Sequence, residues 1–183
     1  MKKCLVVLVF LVLSCELSAQ IQAYSRYTVN AQVEPDINIF GTKKISETFK
    51  LTYFALVEES WSEALIGLSY APTPYLELGC GAGIEHNPAI YRLTASLWLG
   101  SGDVSFLIIG EKGDGPDNYW YKTVLEYSAS ESFTLGIMAW RFHGLGPLAK
   151  LKIKALDSQL WVNPTYDLEF KVSRIITGID IKI

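Results

Sequence analysis

The sequence predicts an all-β fold: a closed antiparallel up-and-down (meander) transmembrane β-barrel of ten to twelve strands, following a cleaved signal peptide. Three observations predict it. Apolar and other residues alternate at period 2 along most of the chain after Gln20, which is the signature of strands with two unlike faces. Short stretches of turn-forming residues separate the alternating segments. The chain also opens on a basic start and an apolar run, the order of an export signal.

The 183 residues fit one domain rather than two. Charged residues make up 19%, below the roughly 25% usual in soluble domains. Aromatics reach 13%, with ten tyrosines. This composition excludes a disordered chain, a coiled coil and a collagen-like fibre. A net charge of −3 argues against a nucleic-acid partner, which would need a basic face.

Lys2 and Lys3 precede an unbroken apolar run over residues 4–13, and Leu17, Ser18 and Ala19 supply a cleavage site before Gln20. The run is about half of the ~20 residues a spanning helix needs. Residues 1–19 are therefore expected to be a signal peptide and residues 20–183 a single barrel domain. A competing site lies at residues 12–15, a lipobox-like stretch in which Cys15 would carry a lipid anchor. Cleavage after Ala19 removes Cys4 and Cys15 and leaves Cys80 alone, so no intrachain disulfide is expected. Stability must then come from a large core or from a membrane.

The first alternating segment covers residues 21–33, and residues 37–41 form a possible short return strand. From Thr48 onward ten more strands are expected, seven of them clear. One face carries Phe49, Leu51, Tyr53, Ala55 and Val57; the same phase continues through Ala64–Tyr70, Leu76–Ile84, Tyr91–Leu99, Val104–Gly110, Tyr119–Tyr127 and Ile175–Ile183. No position on that face is charged. The opposite face holds Lys50, Glu63, Glu77, Arg92, Asp103, Lys122, Glu126, Asp180 and Lys182, with Gly67, Gly79, Gly81, Gly83 and Gly178. Tight turns are expected at residues 71–74, 100–102, 128–132 and 156–158. Longer connections are expected at 58–62, 85–89, 112–118, 143–147 and 163–166. The two sets alternate along the chain, one at each end of a meander.

Alternation alone does not say which face meets water. Strands of about 9–11 residues match a tilted bilayer crossing. Tyr70, Tyr75, Tyr127 and Phe133 flank one set of turns, while Tyr91, Tyr119, Trp120 and Tyr121 flank the other, as interfacial girdles do. The chain ends on a strand, and its polar face is rich in glycine, which ordinary exposed strands avoid. These features favour an apolar face toward lipid. A soluble exported barrel or sandwich with an apolar interior is the alternative.

On these residues the chain resembles the small Gram-negative outer-membrane β-barrel proteins, over all of 20–183. The resemblance is architectural and names no specific family; the ending Asp180-Ile181-Lys182-Ile183 departs from the aromatic last residue common in that class. It implies an outer-membrane location, with the periplasm or a Cys15 lipid anchor as alternatives. It also implies partnership with outer-membrane lipid and the outer-membrane assembly machinery, and a role as a small pore or structural barrel. The lumen-lining candidates are Lys50, Glu63, Glu77, Arg92, Lys122, Glu126, Asp180 and Lys182, whose near balance of sign suggests cross-strand pairing. Lys150, Lys152 and Lys154 form a basic row that would favour anions if it faced inward.

No catalytic, cofactor-binding or metal-ligating set is expected. His86 and His143 fall in connections at the same end, and each reads as a solvated loop side chain. Neither has a nearby Ser for the nucleophile–base pair of a lipid-modifying barrel enzyme. No tight His/Cys/carboxylate spacing suggests zinc, and residues 112–118 miss the calcium-loop pattern. Gly79, Gly81 and Gly83 line one strand face instead of forming a phosphate loop.

Overall fold

A computed structural model describes residues 18–28, 33–86 and 91–183. The export signal in residues 1–17, the alternative lipid anchor at Cys15 and the alternation at residues 29–32 lie outside the described residues. Twelve antiparallel strands, each paired with its neighbours in sequence, form a closed barrel. They are β1 Ser18–Thr28, β2 Val33–Lys44, β3 Phe49–Val57, β4 Ser62–Thr73, β5 Leu76–Glu85 and β6 Arg92–Ser101. Then follow β7 Val104–Gly113, β8 Tyr119–Ser128, β9 Phe133–Trp140, β10 Gly144–Ile153, β11 Ser158–Asp167 and β12 Val172–Lys182. The seam closes through β1 and β12, from Gln20 opposite Lys182 to Thr28 opposite Arg174.

The apolar face points outward. Ile66, Leu68, Leu78, Ile84, Leu93, Ile108, Leu125, Leu135, Ile137 and Ile175 are exposed around the circumference. A belt this large on a water-soluble surface would far exceed the few hundred Å² that monomers tolerate. Tyr70, Tyr75, Tyr127 and Phe133 are exposed at one end, Tyr91, Tyr119 and Tyr121 at the other. Trp120 departs from the expected girdle: its phase turns it inward, where it lines the interior.

Several boundaries differ from the sequence reading. The segment 21–33 is not one strand. Thr28 ends β1 and Val33 opens β2, with Tyr27 opposite Val33. The short return expected at 37–41 is a full twelve-residue strand, β2. Connections expected at 143–147 and 163–166 lie mostly inside β10 and β11, despite Pro147 and Pro164. Proline lacks the N–H that a ladder needs. Here side chains mend the ladder: Asn163 Nδ2 donates to the Pro147 carbonyl at 2.7 Å, and Thr165 Oγ1 to the His143 carbonyl at 2.6 Å.

The interior is filled on one side. Tyr24, Val124, Met138, Trp140, Leu148, Trp161 and Ile176 form a buried cluster on β1 and β8–β12. Complete burial of Leu148 or Ile176 contributes roughly 1.5–3 kcal/mol against exposure in an unfolded chain. The opposite wall, β3–β6, carries small inward residues: Thr52, Gly67, Ser69, Gly79, Gly81, Thr94 and Ser96. Gly67 sits opposite Gly81, and a Cβ on Gly67 would stand 2.4 Å from the Cys80 carbonyl oxygen. That approach of neighbouring backbones is open only to glycine.

Candidate functional site

Bulky side chains against one wall and small ones on the other leave a cavity of about 1280 Å³ beside β3–β6. Pro74 and Leu76 line it at one end, and Asp114 and Asn118 at the other. These belong to opposite sets of turns, so the cavity runs the height of the barrel. Phe54, Leu65, Trp98, Leu107 and Ile109 give its middle an apolar wall.

Charge concentrates at the end that carries the β3–β4 and β7–β8 connections. There Arg92 is a hub for three carboxylates. Its Nε meets Glu63 at 2.8 Å and Glu111 at 2.6 Å, and its Nη1 meets Glu85 at 2.6 Å. Nη1 also donates to Asn118 Oδ1 at 3.1 Å. The guanidinium carbon lies 5.2 Å from the centre of the Trp61 ring, and Trp61 Nε1 donates to Glu63 at 3.3 Å. All four charged groups are buried. The register explains the meeting: Glu63 faces Glu85 across β4–β5, and Arg92 lies opposite Gly83, one alternation step from Glu85, across β5–β6.

A second hub surrounds Arg26. Its Nη2 meets Glu34 at 2.8 Å, Glu58 at 3.5 Å and Asp36 at 3.9 Å. Its Nη1 donates to His143 Nε2 at 3.3 Å, while His143 Nδ1–H donates to the Arg141 carbonyl at 3.0 Å. His143 is therefore a neutral imidazole with a fixed tautomer. It is only 5% exposed and stacks on Trp140 with ring centres 3.8 Å apart. Burial, aided by the Arg26 charge, pushes its pKa down to about 3. The expectation of a solvated loop histidine is thus corrected: the turn is short, and its ring fills the top of the core. His86 is exposed, as a loop residue would be.

Farther along, Lys122 Nζ sits 4.5 Å from the Trp140 ring centre. Glu126 pairs with Lys150 at 2.5 Å, and Lys50 with Glu77 at 2.7 Å. Asp180 accepts from Gln22 Nε2 at 2.7 Å and Trp161 Nε1 at 3.1 Å. Of the sequence candidates, Lys50, Glu63, Glu77, Arg92 and Lys122 line the cavity. Glu126 and Asp180 lie on the filled side, and Lys182 is exposed at the end of β12. Asp103 belongs to the exposed β6–β7 turn. The basic row breaks up: Lys150 is paired, Lys152 is exposed, and Lys154 leaves the strand for a 3-10 turn, where it meets Glu131. Glu85, Glu111, Asn118, Arg26 and Asp36 escaped the sequence reading as lumen candidates. Glu85 and Glu111 are each one alternation step beyond Gly83 and Ile109, and the strands run on to include them.

No family model matches the chain, and no curated protein matches it. Solved structures do. The KdgM porin superposes with a TM-score of 0.61 at 11% identity, over 90% of this chain and 99% of that one. A second structure, of KdgM porin in complex with disordered oligogalacturonate, gives the same values. The NanC porin superposes with a TM-score of 0.57 at 8% identity, over 90% of this chain and all of that one. What they share with this chain is the fold, a closed antiparallel barrel. At such low identity the likeness concerns the closed barrel and carries no residue across, so the interior here must be read from its own lining.

Proposed function

We propose that residues 20–183 form a small outer-membrane pore with a charge-paired lumen, exported by a signal peptide cut after Ala19. The observation that carries this reading is the cavity that runs between both sets of turns inside a barrel whose outer face is apolar. A spanning strand must satisfy its backbone within a closed sheet, and this barrel has no open edge. The apolar belt seeks outer-membrane lipid, and an exported barrel of this kind reaches it through the outer-membrane assembly machinery. The porin neighbours support a passage role over a catalytic one, and the buried charges serve pairing instead of acid–base chemistry. KdgM porin was determined with oligogalacturonate, a polyanion; three carboxylates on Arg92 at the mouth of this barrel argue against that class of solute here.

Two measurements test the reading. Cell fractionation should place the protein in the outer membrane and release it only with detergent. Purified, refolded protein should give discrete conductance steps in a planar bilayer. Recovery from the periplasm without detergent, or a silent bilayer containing folded protein, overturns it. Mass spectrometry of the mature N-terminus should find Gln20. The cut would remove Ser18 and Ala19, which lie opposite Thr42 and Gly41, and leave the Gln20–Lys182 pair at the seam.

A further inference from the structure

We infer that the passage prefers cations, and that the preference is set at the end holding Arg26 and Arg92; this rests on reading the cavity as a pore. At that end the cavity wall carries Glu58, Glu63, Glu111, Asp114 and Asp117 against the two arginines. Glu85 lies behind them on Arg92. Each guanidinium therefore meets three carboxylates, and one positive charge cannot neutralise three negative ones. Elsewhere in the lumen Lys50 pairs with Glu77 and Lys122 stands over the Trp140 ring, so the negative surplus is local to this mouth.

Glu58, Asp114 and Asp117 are the solvent-facing carboxylates of this mouth: Asp114 and Asp117 are exposed and Glu58 is half-buried. Lys112 and Arg141 also stand at this end, but they direct donors to backbone carbonyls of the 115–119 segment and do not line the cavity. Among the described residues no cluster of three or more possible ligands is placed to hold a metal ion. The mouth thus concentrates cations in transit and fixes none. Confined low-dielectric walls focus such a field and raise the local concentration of oppositely charged ions by about tenfold or more.

Reversal potentials in planar bilayers under a KCl gradient test this. The expected sign is that of a cation-preferring channel, with K⁺ about tenfold more permeant than Cl⁻ at low salt, declining as salt screens the mouth. The combined variant Glu58→Gln, Asp114→Asn, Asp117→Asn should lose most of that preference and still conduct. Glu77→Gln, at the other end, should keep it. Heat-modifiable gel mobility checks that each variant is folded. Conductance with an anion preference or none, or a preference untouched by the triple variant, overturns this inference and leaves the pore reading standing. Folded wild-type protein that never conducts overturns both.

Discussion

Arg92 shows how much a single side chain can hold in this interior. Its side chain is 5% exposed, and three carboxylates from three different strands converge on it. Removing the guanidinium leaves Glu63, Glu85 and Glu111 facing one another with no cation among them. Loss of one partner from a buried charge pair costs roughly 3–5 kcal/mol, so Arg92→Ala should clearly lower the urea midpoint of the refolded protein. Asp114→Ala, at an exposed loop position, should move it by no more than about 0.5 kcal/mol. Equal midpoints for the two variants would contradict the buried hub. His143 makes a pH-dependent contribution. In the unfolded chain it titrates near 6.5; folded, it stays neutral down to about pH 3. The folded state therefore binds fewer protons between these values, and stability must fall as pH drops through that window. The slope from this one group is up to about 1.4 kcal/mol per pH unit. His143→Gln should flatten the fall between pH 6.5 and 3 relative to wild type, as read from urea midpoints across that range. An unchanged slope would mean that His143 is solvated after all.

At the scale of strands, the barrel works by unequal walls. Gly178 of β12 is a tight point of the filled side: a Cβ there would meet the Trp161 ring at 2.5 Å and Tyr24 Cβ at 2.7 Å. Those two rings meet at a 45° tilt over Gly178, from β1 on one side and β11 on the other, with centres 5.8 Å apart. Gly178→Val should therefore force the two rings apart and cost about 1–3 kcal/mol, the usual range for overpacking, measured by the same unfolding midpoint. The open wall responds in the opposite way. Thr52 and Thr94 border empty space, so Thr52→Trp or Thr94→Trp should fold normally while removing the larger part of the single-channel conductance. The strand architecture was legible because period 2 is a local property of each segment, as the run from Leu76 to Ile84 shows. Partners were not legible in the same way. Lys122 and Glu126 share a face of β8, but Lys122 turns to Trp140 on β9 and Glu126 to Lys150 on β10. Register and barrel curvature decide such meetings, and neither is written in one strand. Strand ends were misjudged for a related reason. Polar Glu85 and Glu111 look like loop residues until a lumen exists for them to face. Pro147 and Pro164 look like turn residues until Asn163 and Thr165 are seen to replace the missing donors.

For the whole molecule, the deciding property is which face meets water, and Cys80 reports on it directly. It is the single cysteine among the described residues, it is exposed, and it sits mid-strand in β5 opposite Leu68 and Ala95 on the outer wall. Its neighbours in sequence, Gly79 and Gly81, turn inward on the polar phase. If the outer wall is embedded in lipid, Cys80 of the bilayer-reconstituted protein should resist a bulky water-soluble maleimide. It should react once the protein is unfolded in denaturant, because the thiolate is the nucleophile and forms only where water reaches the sulfur. Ser96→Cys on a Cys80→Ala background gives the converse case. That position lies on the small-residue wall of the cavity, so a small water-soluble thiosulfonate should reach it through the lumen and reduce the current as it reacts. The two rates together read the orientation of every strand at once, because period-2 alternation ties each outward residue to its inward neighbours. Rapid labelling of Cys80 by the bulky water-soluble reagent in intact bilayers would place the apolar face in water. No closed barrel with this exposed belt could then be a membrane pore.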